Sequence, residues 1–149
     1  MKPLLELNHI SLSYHMPEGE TPVLSDISFS IQQGEFAAIV GPSGCGKSTI
    51  LNLISGLLRP EEGTISIDGK PLEESSLNIG YMLQKDHLFE WRTIYSNVLL
   101  GLEIQHKLTE SSRARVDGLL ASYGLEQFKK SRPSQLSGGM RQRAALIRT

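Results

Sequence analysis

A glycine-rich segment that ends in a lysine and a hydroxyl is the first part of this sequence that could do chemistry. Residues Gly41 to Ser48 match the spacing G-x-x-x-x-G-K-[ST] at every fixed position. Glycines let successive backbone N–H groups face one anion. Lys47 can reach the β- and γ-phosphates, and Ser48 can ligate Mg²⁺. The predicted triphosphate-binding loop consists of Gly41, Pro42, Ser43, Gly44, Cys45, Gly46, Lys47, Ser48 and Thr49. The alternative is an ordinary glycine turn between a strand and a helix.

A second glycine pair lies close to the end of the sequence. The residues Leu136-Ser-Gly-Gly-Met140 are followed by Arg141-Gln-Arg143. Ser137 is a natural N-cap, and Gly138 and Gly139 would expose backbone N–H groups where a helix begins. Because the beginning of a helix attracts negative charge, these residues predict a second anion-binding surface. The alternative is a capped helix with no ligand.

Together the two segments resemble the phosphate loop and the signature motif of ABC-type ATPases. The resemblance implies a head-to-tail dimer, in which Ser137, Gly138 and Gly139 of one subunit cover the γ-phosphate of ATP held by the other. It also implies that Gln84 is the Q-loop glutamine, a ligand of Mg²⁺ and of the attacking water, and that Tyr14 stacks on adenine. Lys47 and Gln84 are then the catalytic residues, and Ser48 and Gln84 the metal ligands. The alternatives are a polar loop residue for Gln84 and a core strand residue for Tyr14.

The residues after Gln84 indicate a subgroup of this family. The run from Gln84 to Thr93, which reads QKDHLFEWRT, is similar to importers of the nitrate, sulfonate, taurine and pyrimidine-precursor type. The Q-loop of that group commonly reads Gln-Lys-Asp and then Pro-Trp-Arg. Glu90 stands here in place of the proline, so a rigid turn is missing from the face expected to meet a membrane subunit. The solute cannot be predicted, because the nucleotide-binding part does not touch it.

Composition narrows the classes of protein and of partner. The 149 residues carry 15 basic and 16 acidic side chains, a formal charge of −1, which disfavours nucleic acid as a partner. No apolar run approaches the length of a membrane span, and the single cysteine, Cys45, suits a reducing compartment. We therefore expect a cytoplasmic protein. The resemblance implies a position on the inner face of the membrane, with a second ATP-binding subunit, permease subunits and a solute-binding protein as partners.

The resemblance implies an α/β fold of the P-loop NTPase, ABC type. We expect a mainly parallel core sheet, an antiparallel β subdomain and a helical subdomain. The predicted strands are residues 4–7, 10–14, 27–31, 36–40, 64–67 and 79–83, with a loop at 15–22. The predicted helices begin at residues 47, 93, 109 and 137. We predict one domain divided into a core at 1–84, a Q-loop and helical part at 85–135, and the signature segment at 136–149.

The resemblance also implies features that would follow Thr149. The family continues with a strand ending in Asp-Glu, which holds Mg²⁺ through water and polarises the attacking water, and later with a histidine. Without them the site lacks its general base. We therefore expect this polypeptide alone to bind nucleotide, to be poorly stable and to have no meaningful ATPase activity.

Three alternative functions stay open at this point. Another P-loop enzyme, such as a small-molecule kinase or a GTPase, would leave Tyr14, Gln84 and the 137–139 segment unexplained. A soluble ABC protein of DNA repair or translation is the second, although no sustained heptads separate Lys47 from Ser137. The third is a regulatory protein that binds nucleotide without hydrolysing it.

Overall fold

The structure is a computed structural model that describes residues 2–17, 19–75 and 79–149. Its contacts divide the chain into two compact units, Met1–Ile79 and Gly80–Thr149. Each unit has its own cluster of buried apolar side chains. Among the described residues, no helix combines the length and the apolar character that crossing a bilayer requires.

An antiparallel sheet is the main element of the first unit. Its strands are β1 (Leu5–Met16), β2 (Gly19–Ile31), β3 (Glu62–Ile67) and β4 (Lys70–Pro71), in the order β2-β1-β3-β4. The loop predicted at 15–22 is wrong, because β1 and β2 stay paired as far as Met16 and Gly19. Pro22 lies in β2, an edge strand, which is the part of a sheet where proline is tolerated.

The pair Asp68-Gly69 is typical of a hairpin turn, and it forms the turn between β3 and β4. Both residues have positive φ, 52° and 72°, and Ile67 pairs with Lys70 across them. Two successive residues of positive φ match the right-handed twist of a tight hairpin. A short 3₁₀ turn, Leu72–Glu74, follows β4.

Helix α1 (Lys47–Ile54) packs on this sheet through Ile50 and the fully buried Leu53. The spacing of Ile50, Leu51, Ile54 and Leu57 predicts one apolar helix face, and this prediction is partly wrong, because Leu51 and Leu57 are 43% and 63% exposed. A glycine is expected where a helix ends, and Gly56 confirms this expectation. Gly56 has φ 75°, its N–H donates to the Leu53 carbonyl, and the next N–H donates to the Asn52 carbonyl. These bonds satisfy carbonyls that a helix end would otherwise leave free.

Two predicted strands are not formed by the described residues. Residues 36–40 and 79–83 take part in no ladder, and the Phe36 and Val40 side chains are 96% and 91% exposed. The apolar runs were interpreted as strands of a parallel sheet, which requires hydrogen-bonded neighbours on both sides. No other segment of the described chain pairs with them, so the parallel core sheet is absent from this part of the protein.

Helices build the second unit: α2 (Ile94–Ile104), α3 (Glu110–Ser122) and α4 (Gly138–Arg148). Short 3₁₀ turns at Glu126–Phe128 and Pro133–Gln135 connect α3 to α4. The predicted beginnings are confirmed, since Thr93, Thr109 and Ser137 each accept a hydrogen bond from a backbone N–H three residues on. The shared core consists of Leu88, Ile94, Val98, Leu99, Val116, Leu120, Leu125, Leu136, Ala144 and Ala145.

One buried amide side chain holds the irregular segment that precedes α2. Asn97 has no exposed surface, and its Oδ1 accepts a hydrogen bond from the Phe89 N–H at 2.7 Å. Its Nδ2 donates to the carbonyls of Phe89, Arg92 and Thr93 at 3.0, 3.3 and 3.0 Å. A single side chain therefore contacts four backbone groups of a segment that has no ladder of its own, with its two amide hydrogens shared among the three carbonyls.

Replacing Asn97 with Ala should destabilise the protein by about 2–4 kcal/mol, because buried backbone groups would lose their partners. Chemical unfolding of the full-length gene product measures the loss. Gln127→Ala is the control, because it removes an exposed amide side chain from the same unit and should cost within about 0.5 kcal/mol. Equal midpoints for the two variants would contradict the role given to Asn97.

Candidate functional site

The glycine-rich loop that precedes α1 is curled. Gly44 and Gly46 have left-handed backbone, with φ of 82° and 89°. The Lys47 ammonium folds back and donates to the carbonyls of Gly41 and Pro42 at 2.9 and 2.6 Å. The two ends of the loop are therefore close together, which is the geometry that an anion cradle requires.

Backbone donors are available where α1 begins. The first helical hydrogen bond runs from the Ile50 N–H to the Gly46 carbonyl at 2.9 Å. Within the part of the chain that the structure describes, the N–H groups of residues 47–49 have no acceptor. These donors and the positive end of the helix dipole suit an anion. Residues 41–45 and Ser48 are exposed, whereas Thr49 is buried and anchors the turn.

Gly46 fixes the position of the loop against the sheet. A Cβ at this residue would lie 2.7 Å from Leu24 Cδ2 and 3.2 Å from the Val23 carbonyl oxygen. Both neighbours belong to β2. Because its φ also lies in the region that L side chains avoid, glycine is required here for two independent reasons.

Tyr14 lies near the end of β1, opposite Thr21 of β2, and its residue surface is 41% exposed. The alternative of a core strand tyrosine is therefore wrong. An exposed aromatic ring is available for stacking, which is favourable with any base.

An exposed cluster next to Tyr14 was not predicted. The possible ligand atoms of His15, Glu20 and Glu61 all lie within 4.8 Å of one another. Two of these side chains, His15 and Glu61, already have protein partners, since His15 Nε2 lies 2.7 Å from Glu61 Oε1 and the Ser13 N–H donates to Glu61 Oε2. The bond to His15 lowers the pKa of the Glu61 carboxyl below its ordinary value. We interpret the cluster as structural, because its hydrogen bonds connect β1 to Glu61, the residue that precedes β3.

The other predicted site residues lie in the second unit. The Gln84 residue is exposed, and its carbonyl accepts a hydrogen bond from Gln142 Nε2 at 3.3 Å. Ser137 Oγ accepts a bond from the Met140 N–H at 3.4 Å. Gly138 and Gly139 are exposed, and a Cβ on either would meet open space. The first turn of α4 is therefore accessible to a ligand.

Sequence reasoning missed the residues that hold the segment after Gln84. Asp86 accepts a hydrogen bond from Arg141 Nε, and the carbonyls of Asp86 and His87 accept bonds from Arg148. The two arginines are seven residues apart in α4, so they share a face of the helix. That spacing is visible in the sequence, but their partners lie 55 or more residues away and no local pattern indicates them.

The family model described as ABC transporter matches residues 24–149. This match covers more than half of the chain, and the chain belongs to the ABC transporter family. The resemblance inferred from the phosphate loop and the signature segment is therefore confirmed. The alternative of a different P-loop enzyme is not favoured.

Named relatives agree with this assignment. The chain is 48% identical over 145 residues to the uncharacterized ABC transporter ATP-binding protein YtlC of Bacillus subtilis, covering 97% of this chain and 56% of that protein. It is 39% identical to the taurine import ATP-binding protein TauB of a Jannaschia species, covering 97% and 54%. The second relative is of the importer group that the Gln84 to Thr93 run indicated. The chain spans about half the length of these relatives.

A solved structure confirms the fold class. The ATP-binding cassette MJ0796, determined as a dimer in a post-hydrolysis state with ADP and Pi, matches with a TM-score of 0.82 and 32% identity. The match covers 97% of this chain and 68% of the cassette. The fold is therefore that of an ABC-type P-loop NTPase, of which the described residues form the antiparallel sheet and the helical part.

Gly46→Ala should destabilise the protein by about 1–3 kcal/mol, because the new Cβ meets β2 and the backbone is left-handed. Thermal unfolding of the full-length gene product measures the change. Gly118→Ala, in the middle of α3 with open space around it, is the control, and should be neutral or stabilise by about 0.5–1 kcal/mol. Gly46→Ala with the stability of the unchanged protein would mean that the loop does not depend on its contact with β2.

Proposed function

We propose that this chain is the ATP-binding, energy-coupling part of an ABC importer subunit. The observation that carries the proposal is the curled loop at residues 41–46, which ends in Lys47 and in free N–H groups at the start of α1. The relatives named as ATP-binding proteins of transporters and the cassette bound to ADP and Pi support it.

The loop residues would each have a separate role toward ATP. Lys47 would leave the carbonyls of Gly41 and Pro42 and place its ammonium group against the terminal phosphates. The N–H groups at the start of α1 contact the phosphate oxygens. Tyr14 offers its exposed ring to the adenine.

The residues present fit Mg²⁺, which the family implies. The exposed Ser48 hydroxyl, one residue from Lys47, offers the oxygen ligand that this ion prefers. Gln84 is proposed as a second oxygen ligand and as the group that orients the attacking water. When bound, Mg²⁺ supplies neutralisation of the phosphate charge. Hydrolysis is proposed for the full-length protein, of which this chain supplies Lys47, Ser48 and Gln84.

The first turn of α4 is proposed to act on the ATP held by a second copy. Ser137, Gly138 and Gly139 expose a capped helix beginning to solvent, with no Cβ over the two glycine amides. Such a surface attracts the γ-phosphate. The dimeric state of the solved cassette supports the pairing of two copies.

Permease subunits at the inner face of the membrane are the proposed partners beyond the dimer, with a solute-binding protein delivering the cargo. The taurine import relative supports import as the direction. ATP binding would close the two subunits, and hydrolysis would reopen them. This cycle can drive transport only if the contacts with the permease differ between the closed and open states.

Lys47→Ala should weaken ATP binding about tenfold to a hundredfold, the effect expected when a hydrogen bond to a charged group is lost. Titration of the full-length gene product with a fluorescent ATP analogue measures the affinity. Lys70→Ala is the control, since Lys70 is an exposed lysine of β4 in the same unit, and it should bind as the unchanged protein does. Unchanged affinity in Lys47→Ala would refute the proposed phosphate loop.

Ser137→Ala should impair hydrolysis while ATP affinity stays unchanged. The variant also loses a helix cap, which costs about 1 kcal/mol. Thr109→Ala removes the equivalent cap from α3 of the same unit and so isolates the effect of stability. Hydrolysis should fall in Ser137→Ala and persist in Thr109→Ala.

Mixing the Ser137→Ala and Lys47→Ala subunits tests whether the site is shared between copies. In a head-to-tail heterodimer one site carries both defects and the other carries neither. The mixture should therefore hydrolyse ATP faster than either variant alone. No recovery in mixtures shown to contain heterodimers would count against a shared site.

A further inference from the structure

We propose that Arg141, Gln142 and Arg148 of α4 fix the backbone of residues 84–87 by hydrogen bonds. The Q-loop glutamine, Gln84, and the signature turn, residues 137–139, are then held in a fixed relation to each other. The inference deepens the proposed function and rests on it, because it concerns how Gln84, which would act on the ATP of its own subunit, is joined to Ser137, which would act on the ATP of the second copy. The three α4 residues are positioning residues and touch no substrate.

Asp86 is the centre of this arrangement, because its three oxygen atoms each accept a hydrogen bond. Oδ2 accepts from Arg141 Nε at 3.1 Å, and Oδ1 accepts from the Leu88 N–H at 3.1 Å. The backbone carbonyl accepts from Arg148 at 2.7 Å. The residue is therefore oriented by α4 on one side and by its own chain on the other.

Arg141 joins Asp86 directly to the signature turn. While Nε contacts the Asp86 carboxylate, the Nη1 atom donates to the Leu136 carbonyl at 3.2 Å. Leu136 is buried and immediately precedes the N-cap Ser137. Since the guanidinium group is planar and its donors are fixed relative to one another, a shift of residue 136 is transmitted to Asp86.

Arg148 and Gln142 extend the attachment along the segment. Arg148 donates to the Asp86 and His87 carbonyls, each at 2.7 Å, and Gln142 donates to the Gln84 carbonyl at 3.3 Å. The backbone of Gln84 is thereby held, while its residue remains exposed. A glutamine that acts on a ligand needs both a fixed backbone and an accessible side chain, and Gln84 has both.

The other end of the segment is fixed in the core of the second unit. Leu88 is 7% exposed and belongs to the apolar cluster, and the Phe89 N–H is bound by the buried Asn97. Residues 84–89 therefore have attachments to α4 and α2 although they form no helix or strand. The Arg141 and Asp86 side chains are 35% and 25% exposed, so solvent screens their attraction only in part.

Amide hydrogen exchange of the full-length gene product tests the attachment without relying on activity. In Arg141→Ala and in Arg148→Ala, peptides that span residues 84–89 should exchange about tenfold faster, as expected for a lost charged hydrogen bond. Arg143→Ala is the matched control. Arg143 lies on the same helix but donates to the Tyr123 carbonyl, so it should leave this exchange unchanged. Equal exchange in Arg141→Ala, Arg148→Ala and the unchanged protein overturns the proposal, and so does equal acceleration by Arg143→Ala.

A double-mutant cycle with Asp86→Asn isolates the pair, because asparagine keeps the Oδ1 acceptor for Leu88 and loses the charge. The exchange effects of Asp86→Asn and Arg141→Ala should be less than additive. Strictly additive exchange effects would overturn the direct Arg141–Asp86 link. The cycle stays informative even if one variant is less stable, because each double variant is compared with its own single variants.

Nucleotide assays separate this inference from the proposed function. In the unchanged protein, ATP binding and turnover test the function itself. If they hold, Arg141→Ala should lower turnover in the dimer at saturating ATP and leave ATP affinity unchanged, with Arg143→Ala unaffected in both. Turnover of Arg141→Ala equal to that of the unchanged protein would overturn the coupling while leaving the proposed function intact.

Discussion

The left-handed backbone of Gly46, packed without a Cβ against β2, is the constraint on which the phosphate-loop geometry depends. It turns the chain by the sharp angle that lets α1 begin at Lys47 and lets the lysine ammonium reach back to Gly41 and Pro42. A side chain at this position would meet Leu24 and the Val23 carbonyl. The free N–H groups of α1 are therefore aimed by packing against the sheet, and not only by the flexibility that glycine gives.

In the second unit, an irregular segment is held in place without the hydrogen bonds of a sheet. Residues 84–93 carry backbone groups that no ladder satisfies among the described residues, and side chains take the place of the ladder. Asn97 forms hydrogen bonds with the backbone at the end of the segment nearest to α2. Arg141, Gln142 and Arg148 form hydrogen bonds with the end nearest to Gln84. Asn97 is buried, and a buried polar group is costly when unpaired, so the geometry of the segment next to α2 is narrowly specified.

The features that could be predicted from the sequence are those decided within a few residues. The caps at Thr93, Thr109 and Ser137, the Asp68-Gly69 turn and the end of α1 at Gly56 all follow from local backbone chemistry. The strands expected at 36–40 and 79–83 fail because pairing depends on distant segments. The Asp86–Arg141 pair was missed for the same reason, since 55 residues separate its members.

The curled loop forms even though the predicted strand in front of it, residues 36–40, pairs with no strand among the described residues. Phe36 and Val40 are exposed, yet Gly41 still lies beside the Lys47 ammonium. The contacts that shape the loop run to β2 and within α1, so the anion-binding geometry is encoded between Val23 and Gly56. Pairing of residues 36–40 would add burial and rigidity, but it is not what bends the chain. The apolar segment at 36–40, which is prone to aggregation because it has no ladder, is thus distinct from the contacts that shape the anion-binding loop.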